Sequence, residues 1–151
     1  MKRAQLLLAC LLAGAAASSA AAGAQAAHAA KAAKLQLRST SKGRILVNSA
    51  GFTVYRFTKD PRGKDTCVST SGCAEVWPPL TTSGRPIAGG GVKASLLSTI
   101  KLADGRRQVT YAGYPLYLYQ PASERGETSY VGFRSFGGTW DAVNAAGKLV
   151  K

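Results

Sequence analysis

The sequence predicts a mostly β fold: a small antiparallel domain built from two pseudo-symmetric repeats, preceded by a signal peptide and a flexible linker. Three observations predict it. Aromatic residues recur at the period of a strand, the pattern occurs twice at an offset of 62 to 63 residues, and the 17 glycines fall largely in turn-forming positions.

The chain opens with Lys2 and Arg3, followed by a stretch from Ala4 to Ala17 that is apolar except for Gln5 and centred on Leu6, Leu7, Leu8, Leu11 and Leu12. A short positive region before an apolar run is the form of an export signal, and the run is shorter than the roughly 20 residues that cross a bilayer. Residues 1–29 are therefore read as a signal peptide, with cleavage between Ala22 and Ala29, near Ala26, where small side chains cluster. The mature chain is expected to be secreted or periplasmic, without a transmembrane segment. Leu7-Leu8-Ala9-Cys10 offers the alternative of a lipoprotein box and a lipid anchor on Cys10, but it leaves only nine residues of signal before the cut.

From Ala30 onward 18 Lys and Arg face 7 Asp and Glu, a formal charge of +11. Such a balance attracts polyanions. For an exported protein these are acidic envelope polymers or an anionic lipid surface, and no nucleic acid is expected. The run Lys31, Lys34, Arg38, Lys42 and Arg44 reads as a solvated basic linker over residues 30–43, leaving 44–151 as the folded domain.

Within that domain, Gly51-Phe-Thr-Val-Tyr-Arg-Phe57 is echoed by Gly113-Tyr-Pro-Leu-Tyr-Leu-Tyr119, and Trp77 by Trp140. This places a first repeat at about 51–84 and a second at about 113–147. Neither is long enough to hold a core alone, so the two are expected to pack as one domain. Between them, Asp104-Gly105 marks a hairpin over 98–112, with Leu102 across from Arg107, Ile100 from Val109 and Ser98 from Tyr111, and with Ile100, Val109 and Tyr111 facing inward. Ala112-Gly113 then turns the chain into a third strand. Helix signals are confined to one turn within Val92 to Leu97.

Chemically, Cys67 and Cys73 are the two cysteines expected in the mature chain, and in an oxidising compartment their default state is a structural disulfide. A redox-active pair is the alternative. His28 is the single histidine and lies in the signal, which removes the usual general base and most zinc and copper ligand sets. No cofactor or metal is expected. Haem held by a tyrosine and a carboxylate-dependent glycan hydrolase stand as alternatives, the latter needing two carboxylates across a cleft. Asp60-Pro61-Arg62-Gly63 reads as a turn in which the Asp60 carboxylate accepts backbone donors.

Tyr55-Arg-Phe57-Thr-Lys-Asp60, Cys67, Cys73-Ala-Glu-Val-Trp77-Pro-Pro-Leu80, the segment Asp104 to Tyr117 that includes Tyr111, and Gly137-Gly138-Thr-Trp140 together carry a family signature. Over about Ile45 to Lys148 the chain resembles a bacterial secreted or lipoprotein repeat family of unknown function with a Tyr-x-[Phe/Trp/Tyr]-x-x-Asp motif. The second copy, Tyr117-Leu-Tyr119-Gln-Pro-Ala122, has alanine where the motif has aspartate. The resemblance implies export and a two-repeat β architecture, and brings no ligand or activity with it. The residues lead to a non-catalytic extracytoplasmic binding module, with Tyr114, Tyr130, Arg106 and Arg107 as candidate surface binding residues.

Overall fold

Two hairpins open the two halves of the chain. The structure is a computed structural model that describes residues 31–151 apart from 121 and 123, so the expected signal peptide, its expected cleavage point and Cys10 lie outside the described residues. The first half contains β1 (Lys34–Thr40), β2 (Gly43–Asn48), β3 (Tyr55–Phe57), a single helical turn α1 (Cys73–Val76), β4 (Thr81–Thr82) and β5 (Ile87–Ala88). After a 3-10 turn at Ala94–Leu96 come β6 (Leu97–Lys101), β7 (Arg107–Tyr111), β8 (Tyr114–Pro115), β9 (Phe133–Ser135), β10 (Gly138–Val143) and β11 (Leu149–Val150). They form three sheets, in the orders β2-β1-β5, β11-β10-β3 with β9 beside β10, and β4-β7-β6 with β8 beside β7. All pairings between these strands are antiparallel except β1 with β5.

The expectation of a flexible linker over 30–43 is corrected by β1. Leu35 is fully buried, and the strand pairs with β2 from Leu35↔Asn48 to Thr40↔Gly43. Leu35 and Leu37 alternate with Lys34, Gln36 and Arg38, which is a strand pattern with its charged side in water. The positive charges conceal it in sequence because half of any such strand is solvated. The β1–β2 hairpin is the counterpart of β6–β7, so the hairpin assigned between the repeats opens the second repeat, and the first repeat begins well before residue 51.

The β6–β7 register also differs from expectation by one residue. Leu97 pairs with Tyr111, Thr99 with Val109, Ile100 with Gln108 and Lys101 with Arg107. The cause is the turn: Leu102 N–H donates to the Arg106 carbonyl at 2.8 Å, leaving a three-residue loop, with Gly105 N–H donating back to Leu102 and Gly105 at φ 87°. Such a loop ends in a left-handed residue, which glycine adopts without steric cost. Val109 and Tyr111 are buried as expected, but Ile100 shares the opposite face with Gln108. The β6–β7–β8 meander is present.

The repeats are joined by reciprocal bonds at equivalent positions. Tyr55 N–H donates to the Tyr117 carbonyl and Tyr117 N–H to the Tyr55 carbonyl, both at 2.9 Å, so the aromatic strands cross at a local twofold axis. Each strand then pairs with the tryptophan segment of the other repeat: Thr58 N–H donates to Thr139 (2.9 Å) and Gln120 N–H to Val76 (2.8 Å). The side chains obey the same symmetry. Trp77 and Trp140 stack at 4.1 Å and 3°, with Phe57 outside Trp140 (4.2 Å) and Tyr119 outside Trp77 (4.7 Å). Tyr55 meets Trp77 edge-on at 5.1 Å, and Tyr117 meets Trp140 likewise at 5.1 Å. Each aromatic pair contributes about 0.5–1.5 kcal/mol beyond the area it buries.

Cys67 and Cys73 form a disulfide with Cα atoms 5.3 Å apart, buried in this aromatic cluster. A second cluster, with Leu35, Leu46, Val54, Val109, Tyr111, Leu116 and Val143, mixes residues of both halves.

Gly138 lies against the outer end of the stack, where an added Cβ would overlap the Phe57 ring. Gly138→Ala is predicted to lower stability by about 1–3 kcal/mol through displacement of that ring. Denaturant titration checks this, and an unchanged midpoint would mean the stack yields freely.

Candidate functional site

Short strands leave long loops, and the loops carry the polar groups. The loop after β3 turns Asp60 inward, where it is 4 % exposed. The Asp60 Oδ1 accepts from Thr66 N–H (2.8 Å) and the Thr66 hydroxyl (2.6 Å), and Oδ2 accepts from the Tyr117 hydroxyl. The acceptor role expected for the turn 60–63 is therefore exercised elsewhere. Gly63 N–H donates to Gly113 and Lys64 N–H to Pro61, so the turn closes without the carboxylate. Asp60 instead ties its loop to the aromatic strand of the other repeat.

Burial pushes the Asp60 carboxyl above the usual range, against the lowering effect of its Thr66 and Tyr117 hydrogen bonds. Burial also raises Tyr117, reinforced by the Asp60 carboxylate. The symmetry partner of Tyr117 is Tyr55, whose hydroxyl donates to the Glu127 carbonyl at 3.3 Å. Ala122, at the motif's aspartate position, has no carboxylate to offer, and a backbone oxygen serves in its place. A similar asymmetry affects the tryptophans. Trp140 Nε1 donates to Ser135 Oγ at 3.0 Å, whereas Gly72 stands five residues before Trp77 and Trp77 Nε1 has no partner among the described residues.

The four candidate surface residues do not converge on one element. Tyr114, half-buried on β8, lies under the Arg56 guanidinium at 3.1 Å from the ring centroid, with Arg62 at 5.4 Å. Tyr130 stacks on Tyr119 at 3.7 Å beside Trp77 and the exposed Phe133. Hydrogen bonding to Tyr130 is the main cause pushing the Tyr119 hydroxyl up to about 12. Arg106 and Arg107, on the β6–β7 hairpin, line a cleft of about 430 Å³ with Lys31, Thr81, Thr82 and Ser83. Ser83 and Arg107 continue into an adjoining cleft of about 450 Å³ with Arg85, Leu97, Ser98 and Thr99. The two clefts form a cationic, hydroxyl-rich groove.

Lys31 joins this groove from the segment expected to be linker, and Arg85 from the segment between β4 and β5. Only their charge marked them. Asp141 carries no local sequence signal that sets it apart from the other carboxylates. It is 1 % exposed on β10 with neither carboxylate oxygen hydrogen-bonded among the described residues, and burial raises its pKa against the opposing charges of Lys151, Arg56 and Lys42. Among the described residues no group of three or more His, Cys, Asp or Glu is placed to hold a metal ion, and no helix is long and apolar enough to cross a membrane.

Hairpin, aromatic strand and tryptophan segment, repeated and exchanged across a local twofold, define a two-repeat β domain. A family model described as a secreted repeat of unknown function matches residues 36–81 and 98–144, more than half of the chain, and the protein belongs to that family. Each matched segment begins in one of the two hairpins. Comparison with curated proteins and with solved structures gives no match.

The raised Asp60 pKa sets the sign of a pH effect. The unfolded chain ionises this group first, so its favourable contribution is complete below the usual carboxylate value and is lost as pH rises through the folded pKa. Wild-type stability relative to Asp60→Asn is predicted to fall over that interval. A difference that grows with pH, measured by denaturation at several pH values, would reverse the assignment.

Proposed function

We propose that this protein is a non-catalytic extracytoplasmic binding module for acidic cell-envelope material, exported by the signal at residues 1–29. The observation that carries the reading is the groove in which Lys31, Arg85, Arg106 and Arg107 surround Thr81, Thr82, Ser83, Ser98 and Thr99. Guanidinium groups bind phosphate and carboxylate oxygens in a planar fork, and neighbouring hydroxyls add adaptable donors. Among the described residues no carboxylate lines either cleft. Asp104 holds Arg106 at 2.6 Å, but both side chains are about half exposed, and a pair of that kind contributes about 0–1 kcal/mol and exchanges for a ligand readily. The net charge of +13 on the whole chain, most of it retained after residue 30, draws polyanions toward this surface.

The disposition of the acids supports a binding rather than a hydrolytic role. Asp60 and Asp65 are 4 % and 8 % exposed, packed under Tyr117 rather than facing each other across a cleft. Asp104 is spent on the hairpin turn, accepting from Arg106 N–H at 3.0 Å.

Cosedimentation with purified envelope is predicted to be strong at low salt and to weaken as ionic strength rises, since the attraction is screened over about 8 Å at physiological salt. Replacing Arg106 and Arg107 together by alanine should weaken it several-fold, on the scale of about 0.2–1 kcal/mol per exposed charge pair. Absence of association at low salt removes the proposal. Association that ignores salt transfers the binding to the Tyr119, Tyr130 and Phe133 surface, and binding to anionic vesicles but not to envelope polymer identifies a lipid surface.

A further inference from the structure

The local twofold leaves one position unfilled. In the first repeat β1 is paired on both sides, with β2 on one edge and β5 on the other. The second pairing is made by Ile87 N–H donating to the Ala33 carbonyl (2.8 Å) and Gly89 N–H to the Leu35 carbonyl (2.7 Å). The counterpart of β1 is β6, since Leu35 pairs with Asn48 as Leu97 pairs with Tyr111. The counterpart of β5 by the same offset is β11, yet β11 does not lie on β6. The turn at Asn144–Gly147 folds it back onto β10, with Val143↔Leu149 and Ala142↔Val150, and Asn144 Oδ1 accepts from Ala146 and Lys148 to fix that turn. Among the described residues β6 has no neighbour on its outer edge.

The bonds at both ends of β6 show which groups that edge presents. Ala112 N–H donates to Leu96 and Leu102 N–H to Arg106, so the even-numbered residues bond to β7. The Leu97 carbonyl, the Thr99 N–H and carbonyl, and the Lys101 N–H therefore point outward. Leu97 N–H is taken by Ala94 in the 3-10 turn. The cleft lined by Ser83, Gly84, Arg85, Pro86, Leu97, Ser98, Thr99 and Arg107 adjoins this strand. Its charged members, Arg85 and Arg107, are exposed cations, as is Lys101 on the strand itself.

We infer that the outer edge of β6 is a docking site for an extended acidic segment of a partner polypeptide, which adds as a strand in the place that β5 occupies on β1. Backbone bonds to Leu97, Thr99 and Lys101 give the pairing, and Arg85, Lys101 and Arg107 select acidic side chains. The same cations disfavour a second copy of this strongly basic chain at that edge. The edge shares Arg85, Arg107 and Thr99 with the proposed envelope-binding groove, so the two ligands compete there. Envelope binding is read by cosedimentation and does not require a strand, and either reading can fail without the other.

The probe is an end-capped octapeptide of alternating Glu and Val, compared with the same peptide carrying N-methyl groups on alternate residues. The second peptide keeps charge and side chains but cannot complete a ladder. Full-length mature protein, labelled for amide NMR, is titrated with each. Binding of the unmodified peptide with slowed exchange at Thr99 and Lys101, and about tenfold weaker binding of the methylated one, is the expected result. Of the backbone groups Thr99→Pro removes an outward N–H alone, at an edge position where proline is accommodated, and Thr99→Val controls for the lost hydroxyl that accepts from Arg107 at 3.4 Å. The proline variant should abolish the preference and the valine variant keep it, both leaving the aromatic near-ultraviolet signal intact. Equal binding of the two peptides, or no binding of either, overturns the inference. Protection of Thr99 that depends on protein concentration, without peptide, overturns it in favour of self-pairing.

Discussion

Trp77 and Trp140 face each other at 4.1 Å on the local twofold, and the remaining architecture follows from keeping them there. Each indole comes from one repeat and is flanked by an aromatic strand from the other, so neither repeat supplies both walls of its own core. The crossing at Tyr55 and Tyr117 pins the two strands at the same point. A core shared in this way cannot be divided into two small domains, because both stacking partners of each indole come from the other repeat and each half alone would expose both faces of its own tryptophan.

Symmetry at the centre permits divergence at the edges. The loop before Trp77 is a helical turn closed by Cys67–Cys73, whereas the segment before Trp140 is the β9–β10 hairpin. Both solutions hold a tryptophan against the axis, one by a covalent link and one by strand pairing. Asp60, itself held by Thr66, accepts from the Tyr117 hydroxyl, while Tyr55 uses a main-chain oxygen. The last strand of each repeat diverges most: β5 returns to its own hairpin, whereas β11 folds onto β10. The open β6 edge lies where the last strands of the two repeats have ceased to match.

The aromatic strands, the tryptophan echo and the two-repeat β architecture were legible in the sequence because large side chains at a fixed offset survive as a pattern. The disulfide pairing was legible from compartment and cysteine count. The first hairpin was not, since Leu35 and Leu37 are isolated among lysine, arginine and polar residues, and half of a solvated strand resembles a linker. The β6–β7 register was missed because Asp-Gly suits both two- and three-residue loops, and only the bond from Leu102 to Arg106 distinguishes them. Of the groove, Arg106 and Arg107 were legible as exposed turn cations. Lys31 and Arg85 were not, because their approach depends on pairing between segments distant in sequence. The role of Asp60 was placed one loop too early, since a bond to Tyr117 spans 57 residues and leaves no local trace.

The shared core makes the sharpest demand on the molecule. Residues 31–96 and 97–151, produced separately, should each lack near-ultraviolet circular dichroism from ordered aromatics and lack amide protection, and mixing them should restore both signals. Either segment folding alone, with protected amides and an ordered aromatic spectrum, would contradict a core built by exchange across the twofold.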